Sequence, residues 1–388
     1  MTILYVHSGA DLYGASRSLL RLSSRLVSDG NRIVVLLPYD GPLHGELVTS
    51  GVSVLIDPTL AVVTRGRLRQ IGGILSLMFD LLRSVRHLRG VIREFRPDVV
   101  HTNTAIVVSS GIAARLENVP HMWHVRESFV EFGWLWAIYQ WFMWLFASRV
   151  ICVSEAVRQQ FVSFIRHRKT LVIHNGVPSS EFCAVSEDRV RKFRRRYGLE
   201  NFLLVGVVGR LKMVRKGQDT FLKAAALLRA DYPDVRFVLI GSHFPGNENH
   251  TAALLRLGKT LGIEDKVVYT GDVPDIRAAY AALDISVLPS QQPEPFGGVV
   301  IESMASGKPV IGTNIGGTVE QIEDEKTGLL IPPGDPEALS TALRRLLDDP
   351  SLRARFGEAG KVRFEQMFEF ELFYERIRRI YSEVISRN

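Results

Sequence analysis

Residues 202–225 read FLLVGVVGRLKMVRKGQDTFLKAA: an apolar run closed by Gly209, a basic loop, and a stretch with helical spacing from about Gly217. A short β-branched run followed by glycine and then an amphipathic helix opens a βα unit. The pattern then repeats through VRFVLIG, a helix near residues 252–261, KVVYTG, DISVLPS, a helix from about Gly298, and PVIGT. Upstream it runs through TILYVH, a helix from about Gly14, RIVVLLP, VSVLI, DVVH, HMWHV, RVICVS and TLVIH. Strands alternating with helices in this way build doubly wound parallel sheets. The sequence therefore predicts two Rossmann-like α/β domains, residues 1–175 and 176–369, with the polar, basic segment 175–201 as the linker region. A last helical stripe, Phe370, Phe373, Ile377, Ile380, Tyr381 and Val384, needs a surface to dock on, and residues 370–388 are expected to pack back on the first domain. Open α/β sheets bind ligands beyond the carboxyl ends of their strands, so the active site is expected in a cleft faced by both domains.

Composition agrees with two folded cores. The 388 residues are 46% hydrophobic and 23% charged, which excludes a disordered or fibrous chain. Two cysteines, Cys152 and Cys183, support neither a disulfide framework nor a cysteine-based zinc site, and they fit a reducing, cytoplasmic compartment. The start, MTILYVHSGA, has no basic leader and reads as a first strand rather than a signal peptide.

The net charge of +7 is uneven. Residues 1–180 carry 19 Lys and Arg against 12 Asp and Glu, while residues 181–388 carry 29 of each. Such asymmetry points the first half toward an anionic surface or ligand. Residues 65–96 hold eight arginines (Arg65, Arg67, Arg69, Arg83, Arg86, Arg89, Arg93 and Arg96) among Ile, Leu, Met and Phe. That is a basic amphipathic stretch suited to an anionic membrane surface, with an ordinary solvated helix as the alternative. The run 132–148, FGWLWAIYQWFMWLFAS, has 17 residues without a charge and four of the five tryptophans. It lies at the short end of the spanning range, and spanning would split the first sheet across a bilayer. A buried helix is the expectation, an interfacial role the alternative. No nucleic-acid-binding motif accompanies the basic residues, so nucleic acid is not expected as a partner.

Three loops carry candidate chemistry. HSGADLYGASRSLL places Gly9 and Gly14 between a strand and a helix, where free N–H groups and the helix dipole favour phosphate. In the quoted stretch, Arg210 and Lys216 sit between strand and helix, a planar fork and a point charge suited to a diphosphate. In PSQQPEPFGGVVIESMASGKPVIGT, Glu294 and Glu302 flank Gly297, Gly298 and Val299, whose amides open a helix. Carboxylates on either side of an anion-binding turn can accept hydrogen bonds from two sets of sugar hydroxyls. There is no Asp-x-Asp pair and no metal-ligand spacing, so neither a metal nor another cofactor is expected. Neither a Gly-x-Ser-x-Gly elbow nor a Walker loop is present.

From GVVGR through RKG, GDVPDIRAAYAALDISVLPS, EPFGGVVIESMASGKPVIGT, GGTVEQI and TGLLIPPGD, the second half resembles the retaining, nucleotide-sugar-dependent glycosyltransferases of family 4, which have the GT-B fold. The first half resembles their acceptor domain more loosely, through the Gly9–Gly14 loop, HTNTA, HVRE, VSEAV and HNGVP. The resemblance implies transfer of a sugar, with retention and without metal, from a nucleotide diphosphate donor to a hydroxyl of a lipid-linked or polysaccharide precursor of cell-surface glycans. It implies that Arg210 and Lys216 hold the diphosphate, Glu302 the ribose, Glu294 the transferred sugar, and Gly297, Gly298 and Val299 the phosphate or sugar. Gly14 would close over the phosphates, and His124 would lie over the donor sugar. Arg126 and Glu127 are candidates for contact with the acceptor. Tyr13, where many relatives have glycine, is a departure. A non-catalytic nucleotide-sugar-binding scaffold and a sugar-nucleotide epimerase on the same fold stand as alternatives.

Overall fold

The computed structural model describes residues 1–63, 71–183, 185–243 and 246–386, without the side chains of residues 71–75 and 130. The chain divides into two compact units, Met1–Asn175 with Phe373–Asn388, and Gly176–Leu372.

In the first unit, seven parallel strands, β1 (Thr2–Val6), β2 (Arg32–Leu37), β3 (Ser53–Ile56), β4 (Val99–Thr102), β5 (His121–Val125), β6 (Arg149–Cys152) and β7 (Thr170–Val172), form one sheet in the order β3-β2-β1-β4-β5-β6-β7. The second unit holds β8 (Leu203–Val208), β9 (Val235–Ile240), β10 (Val267–Gly271), β11 (Ile285–Leu288), β12 (Val310–Thr313) and β13 (Gly328–Ile331) in the order β10-β9-β8-β11-β12-β13. Each is a doubly wound α/β sheet whose strand order reverses beside its first strand, at β1/β4 and at β8/β11. Strands such as β2 are runs of Val, Ile and Leu because both faces are covered: Ile33–Leu37 are all buried, as are all four residues of β4, β11 and β12.

The carboxyl-terminal helix, Phe370–Ile385, buries the whole expected stripe. From Phe373 onward it belongs to the first unit. Tyr381 hydrogen-bonds Tyr5 and lies 2.6 Å from Nδ1 of His101, and Tyr374 donates to Asp29.

Two expectations are corrected. The segment 175–201 is not a linker throughout: its helix Glu187–Arg196 buries Phe193 and is tied into the second unit by Arg189–Asp275 at 2.7 Å and Arg194–Asp284 at 3.1 Å. The apolar run 132–148 forms a helix, Trp134–Phe146, but buries only Trp136, Gln140 and Met143. Trp134, Ile138 and Leu145 are more than 60% exposed, because this helix has an apolar residue on every face and rests on the unit along one. No described helix is long and apolar enough to cross a membrane. Of the eight arginines, Arg65, Arg67 and Arg69 lie outside the described residues, while Arg89 and Arg93 on the helix Ile71–Phe95 both pair with Glu117, at 2.6 and 2.8 Å.

Candidate active site

In the second unit the site residues gather at the strand-order reversal. After β8 the chain turns at Gly209 and carries Arg210 into a short helix, Met213–Lys216. Gln218 holds this loop by donating to the Arg210 carbonyl at 2.9 Å. Gly217 is obligatory: its φ is +68°, and a Cβ there would fall 1.7 Å from the carbonyl oxygen of Pro289. That close approach brings the loop after β8 against the loop after β11. Lys216 Nζ donates to Glu294 Oε1 at 2.6 Å, and Ser290 Oγ donates to the same oxygen at 3.1 Å. Glu294 is supported from behind by the GGTVEQI motif, where the Gly317 amide donates to the Glu294 carbonyl at 2.7 Å. A Cβ on Gly316 or Gly317 would collide with the backbone of Glu294 or Pro295.

Beyond Glu294 the helix Gly298–Ala305 begins at Gly297, which has no side chain to cap it, and its first turn carries no acid. The first amides of a helix lack intrahelical acceptors, so those of Gly298 and Val299 are available to an anion. Gly298 is exposed, and a Cβ there would meet nothing closer than Glu302 Oε1 at 3.8 Å. One turn on, Glu302 Oε2 accepts a 2.6 Å hydrogen bond from Tyr280, whose side chain is fully buried. Tyr280 and Ser290 were not among the sequence candidates. The only signal for Tyr280 is its place in the AAYAALD stretch.

In the first unit, Gly14 is exposed at the start of the helix Gly14–Ser28, again without a side-chain cap or an acid in its first turn. The loop before it is shaped by Asp11, which accepts from the Tyr13 amide and from Ser16 Oγ, both at 2.9 Å. At the carboxyl end of β5, Arg126 donates to Asn103 Oδ1 from Nε at 3.3 Å and from NH2 at 3.2 Å, to Asn175 Oδ1 at 2.6 Å, and to Ser18 Oγ at 3.1 Å. One guanidinium thus ties the strand-end loops of β4, β5 and β7 to the first helix. Burial draws it down to about 10, so it stays charged at neutral pH. The asparagines are those of HTNTA and HNGVP, and Arg126 gives both motifs a physical reason. Glu127 accepts from the Ala105 and Arg126 amides at 3.2 and 2.9 Å, yet burial pushes its carboxyl up to about 7.

His124 lies one residue before the end of β5. Its side chain is fully buried, stacked on His101 at 5.5 Å and 6.4 Å from Phe373 of the carboxyl-terminal helix. Its position in β5 turns it into the core, and Arg126 occupies the strand end. Desolvation and the nearby Arg126 charge hold the imidazole well below its usual range, so it is neutral. Among the described residues no three His, Cys, Asp or Glu side chains are grouped as a metal site.

Residues 190–363 match the family model "Glycosyl transferases group 1", and residues 13–181 match "Glycosyltransferase Family 4". The chain belongs to the group 1, family 4 glycosyltransferases. Among related family members, D-inositol 3-phosphate glycosyltransferase of Salinispora tropica is 33% identical over 229 residues, 56% of this chain and 46% of that one. The GDP-mannose-dependent alpha-(1-6)-phosphatidylinositol monomannoside mannosyltransferase of Mycolicibacterium smegmatis is 32% identical over 224 residues, 55% of this chain and 57% of that one. These matches span about half the length of those curated relatives. The crystal structure of Anabaena Alr3699/HepE in complex with UDP is similar with a TM-score of 0.83 and 25% identity, covering 99% of this chain and 100% of that one. The fold is that of the GT-B glycosyltransferases.

Proposed function

We propose that this family 4 glycosyltransferase moves a sugar from a UDP-sugar to the hydroxyl of a lipid-linked or polysaccharide precursor, with retention at the anomeric carbon and without a metal ion, at the cytoplasmic face of a membrane. The observation that carries the reading is the Lys216–Glu294 contact at 2.6 Å beside the uncapped helix at Gly298. It puts a cation, a carboxylate and uncapped helix amides within one loop system. Lys216 and Arg210 supply positive charge to the leaving diphosphate, the electrostatic role that preorganised donors play in acyl and phosphoryl transfer. Glu302, oriented by Tyr280, accepts from the ribose hydroxyls. The bond between the anomeric carbon and the diphosphate oxygen breaks as the bond to the acceptor oxygen forms on the same face, and the acceptor proton passes to the leaving diphosphate.

UDP is favoured as the nucleotide because Alr3699/HepE is described in complexes with UDP and with UDP-glucose. A lipid-borne acceptor is favoured by the mycobacterial relative, whose name gives a phosphatidylinositol mannoside as its substrate. The test is a mass-spectrometric turnover screen of UDP-, GDP-, ADP-, dTDP- and CMP-sugars with and without membrane lipid extract. Acceptor-dependent release of UDP, lost in Glu294→Gln, is expected. Isomerisation of the donor with no acceptor present would assign the epimerase instead, and nucleotide binding without turnover of any donor would assign the scaffold.

A further inference from the structure

The first unit contains a cavity of about 390 Å³, within the range of small-molecule sites (about 300–1,000 Å³). It lies between the loop after β4 and the segment that follows β5, and Ile106, Phe129, Phe132, Leu135, Trp136 and Tyr139 supply most of its wall. The polar tips of its aromatic residues are already satisfied: Trp136 Nε1 donates to the Gln160 carbonyl at 2.9 Å, and Tyr139 donates to the Ala105 carbonyl. The indole and phenol therefore offer hydrocarbon to the cavity rather than hydrogen bonds. Phe129 and Trp136 are stacked at 4.7 Å, which fixes that wall. Glu127 is the one carboxylate in the lining.

The cavity is continuous with a second feature. Leu135 belongs both to its lining and to the exposed apolar face of the helix Trp134–Phe146, where Trp134, Ile138, Trp141 and Leu145 point outward. That face extends onto Phe164, 43% exposed and 5.8 Å from Trp141. Its border is cationic: Arg168 lies over the Phe164 ring at 4.5 Å, and Lys169 lies over Trp144 at 5.0 Å. Neither helix, Trp134–Phe146 or Ser163–Lys169, contains an acidic residue. An apolar face of this extent with Arg168 and Lys169 at its border is complementary to hydrocarbon joined to an anionic group.

We infer that the cavity holds the hydrocarbon chain of the acceptor, and that the acceptor is a phosphate-bearing lipid; this rests on the glycosyl-transfer reading above. The chain enters past Leu135 from the exposed helix face, and its phosphate meets the cationic border. A chain buried against aromatic walls gains affinity with every methylene removed from water, so even a short prenyl chain binds measurably.

The test uses the full-length protein and farnesyl phosphate below the concentration at which it forms micelles, titrated by calorimetry, with UDP binding and UDP-sugar turnover on a soluble sugar acceptor measured in the same preparation. Saturable binding at one site, weakened at least tenfold by Ile106→Trp while UDP affinity and the melting temperature are kept, is the expected result. Binding that Ile106→Trp leaves unchanged, or that appears only with micelles, overturns the inference. So does binding of 1-naphthol in place of farnesyl phosphate, which would make this a pocket for a compact aromatic. A dimer in sedimentation that is dispersed by Trp141→Glu and binds no probe also overturns it, by assigning the face to a second copy of the chain. If UDP binds and turnover proceeds while the probe does not bind, this inference alone fails. If neither UDP binding nor turnover is found, the glycosyl-transfer reading fails with it.

Discussion

Lys216 and Glu294 stand 78 positions apart in the chain and 2.6 Å apart in space, one at the end of the loop after β8 and the other in the loop after β11. The pair sits where the strand order reverses, so the sheet itself sets its geometry. Lys216→Ala is expected to lower kcat by about 10² to 10³, the loss typical for one preorganised charge-stabilising donor. Continuous release of the nucleoside diphosphate, measured at saturating donor, reads this directly. Turnover within a few-fold of the parent would remove Lys216 from the diphosphate site.

The two glycines near this pair separate folding from ligand binding. Gly217→Ala places a Cβ 1.7 Å from a carbonyl oxygen at a φ of +68°. Strain of this kind costs about 1–3 kcal/mol before the clash is counted, and relieving it pulls Lys216 from Glu294. A lower melting temperature and lost turnover are expected together. Gly298→Ala has room for its Cβ and sits in the first turn of a helix, where alanine is favoured by up to about 1 kcal/mol over glycine. Its melting temperature is expected to hold or rise while UDP affinity falls. Unchanged affinity would show that the ligand does not approach this backbone.

Tyr280 holds Glu302, the residue proposed to meet the ribose, by a 2.6 Å hydrogen bond. Tyr280→Phe removes one hydrogen bond to a carboxylate and little else, a change of roughly 1.5–3 kcal/mol in how firmly Glu302 is held. If Glu302 binds the ribose in ground and transition states alike, the donor KM rises by about tenfold with kcat nearly unchanged. Steady-state kinetics with the donor varied distinguishes this from a loss in kcat, which would place Glu302 at the reacting centre.

The parallel sheets were legible because strands covered on both faces leave unbroken Val, Ile and Leu runs, as in Ile33–Leu37 of β2, where every residue is buried. The placing of Glu294 and Glu302 on either side of a helix start was legible because Gly297 and Gly298 mark that turn. Arg126 as the tie between Asn103 and Asn175 was not, since those partners meet only once β4, β5 and β7 are laid side by side. The burial of His124 was not legible, for the same reason that the strands were easy to find. In a strand buried on both faces, alternation does not tell which side of the sheet a residue meets, and the carboxyl-terminal helix that covers His124 arrives from about 250 residues away. The helix Trp134–Phe146 has apolar side chains all round, so its periodicity gave no direction.

The buried histidines make the first unit sensitive to acid. Burial draws His7 down to about 4 and His121 to about 3, and it holds His101 and His124 well below the usual 6.5; Arg126 adds to the shift at His7, His101 and His124. As pH falls below 6.5 the unfolded chain takes up protons on these four residues that the folded chain refuses, so stability is lost. Each contributes up to about 1.4 kcal/mol per pH unit. Glu127 acts in the opposite sense: raised to about 7, it keeps its proton in the fold between pH 4.5 and 7 while the unfolded chain has released its own. Its contribution is therefore present at low pH and lost as pH rises through 7, but it is one group against four. The melting temperature is expected to fall between pH 6.5 and 4.5, and Glu127→Gln to steepen that fall by removing the single opposing group. A melting temperature that holds steady from pH 7 to 4.5 would mean that these imidazoles take up protons in the fold, and that the packing around His101 and His124 opens to let them.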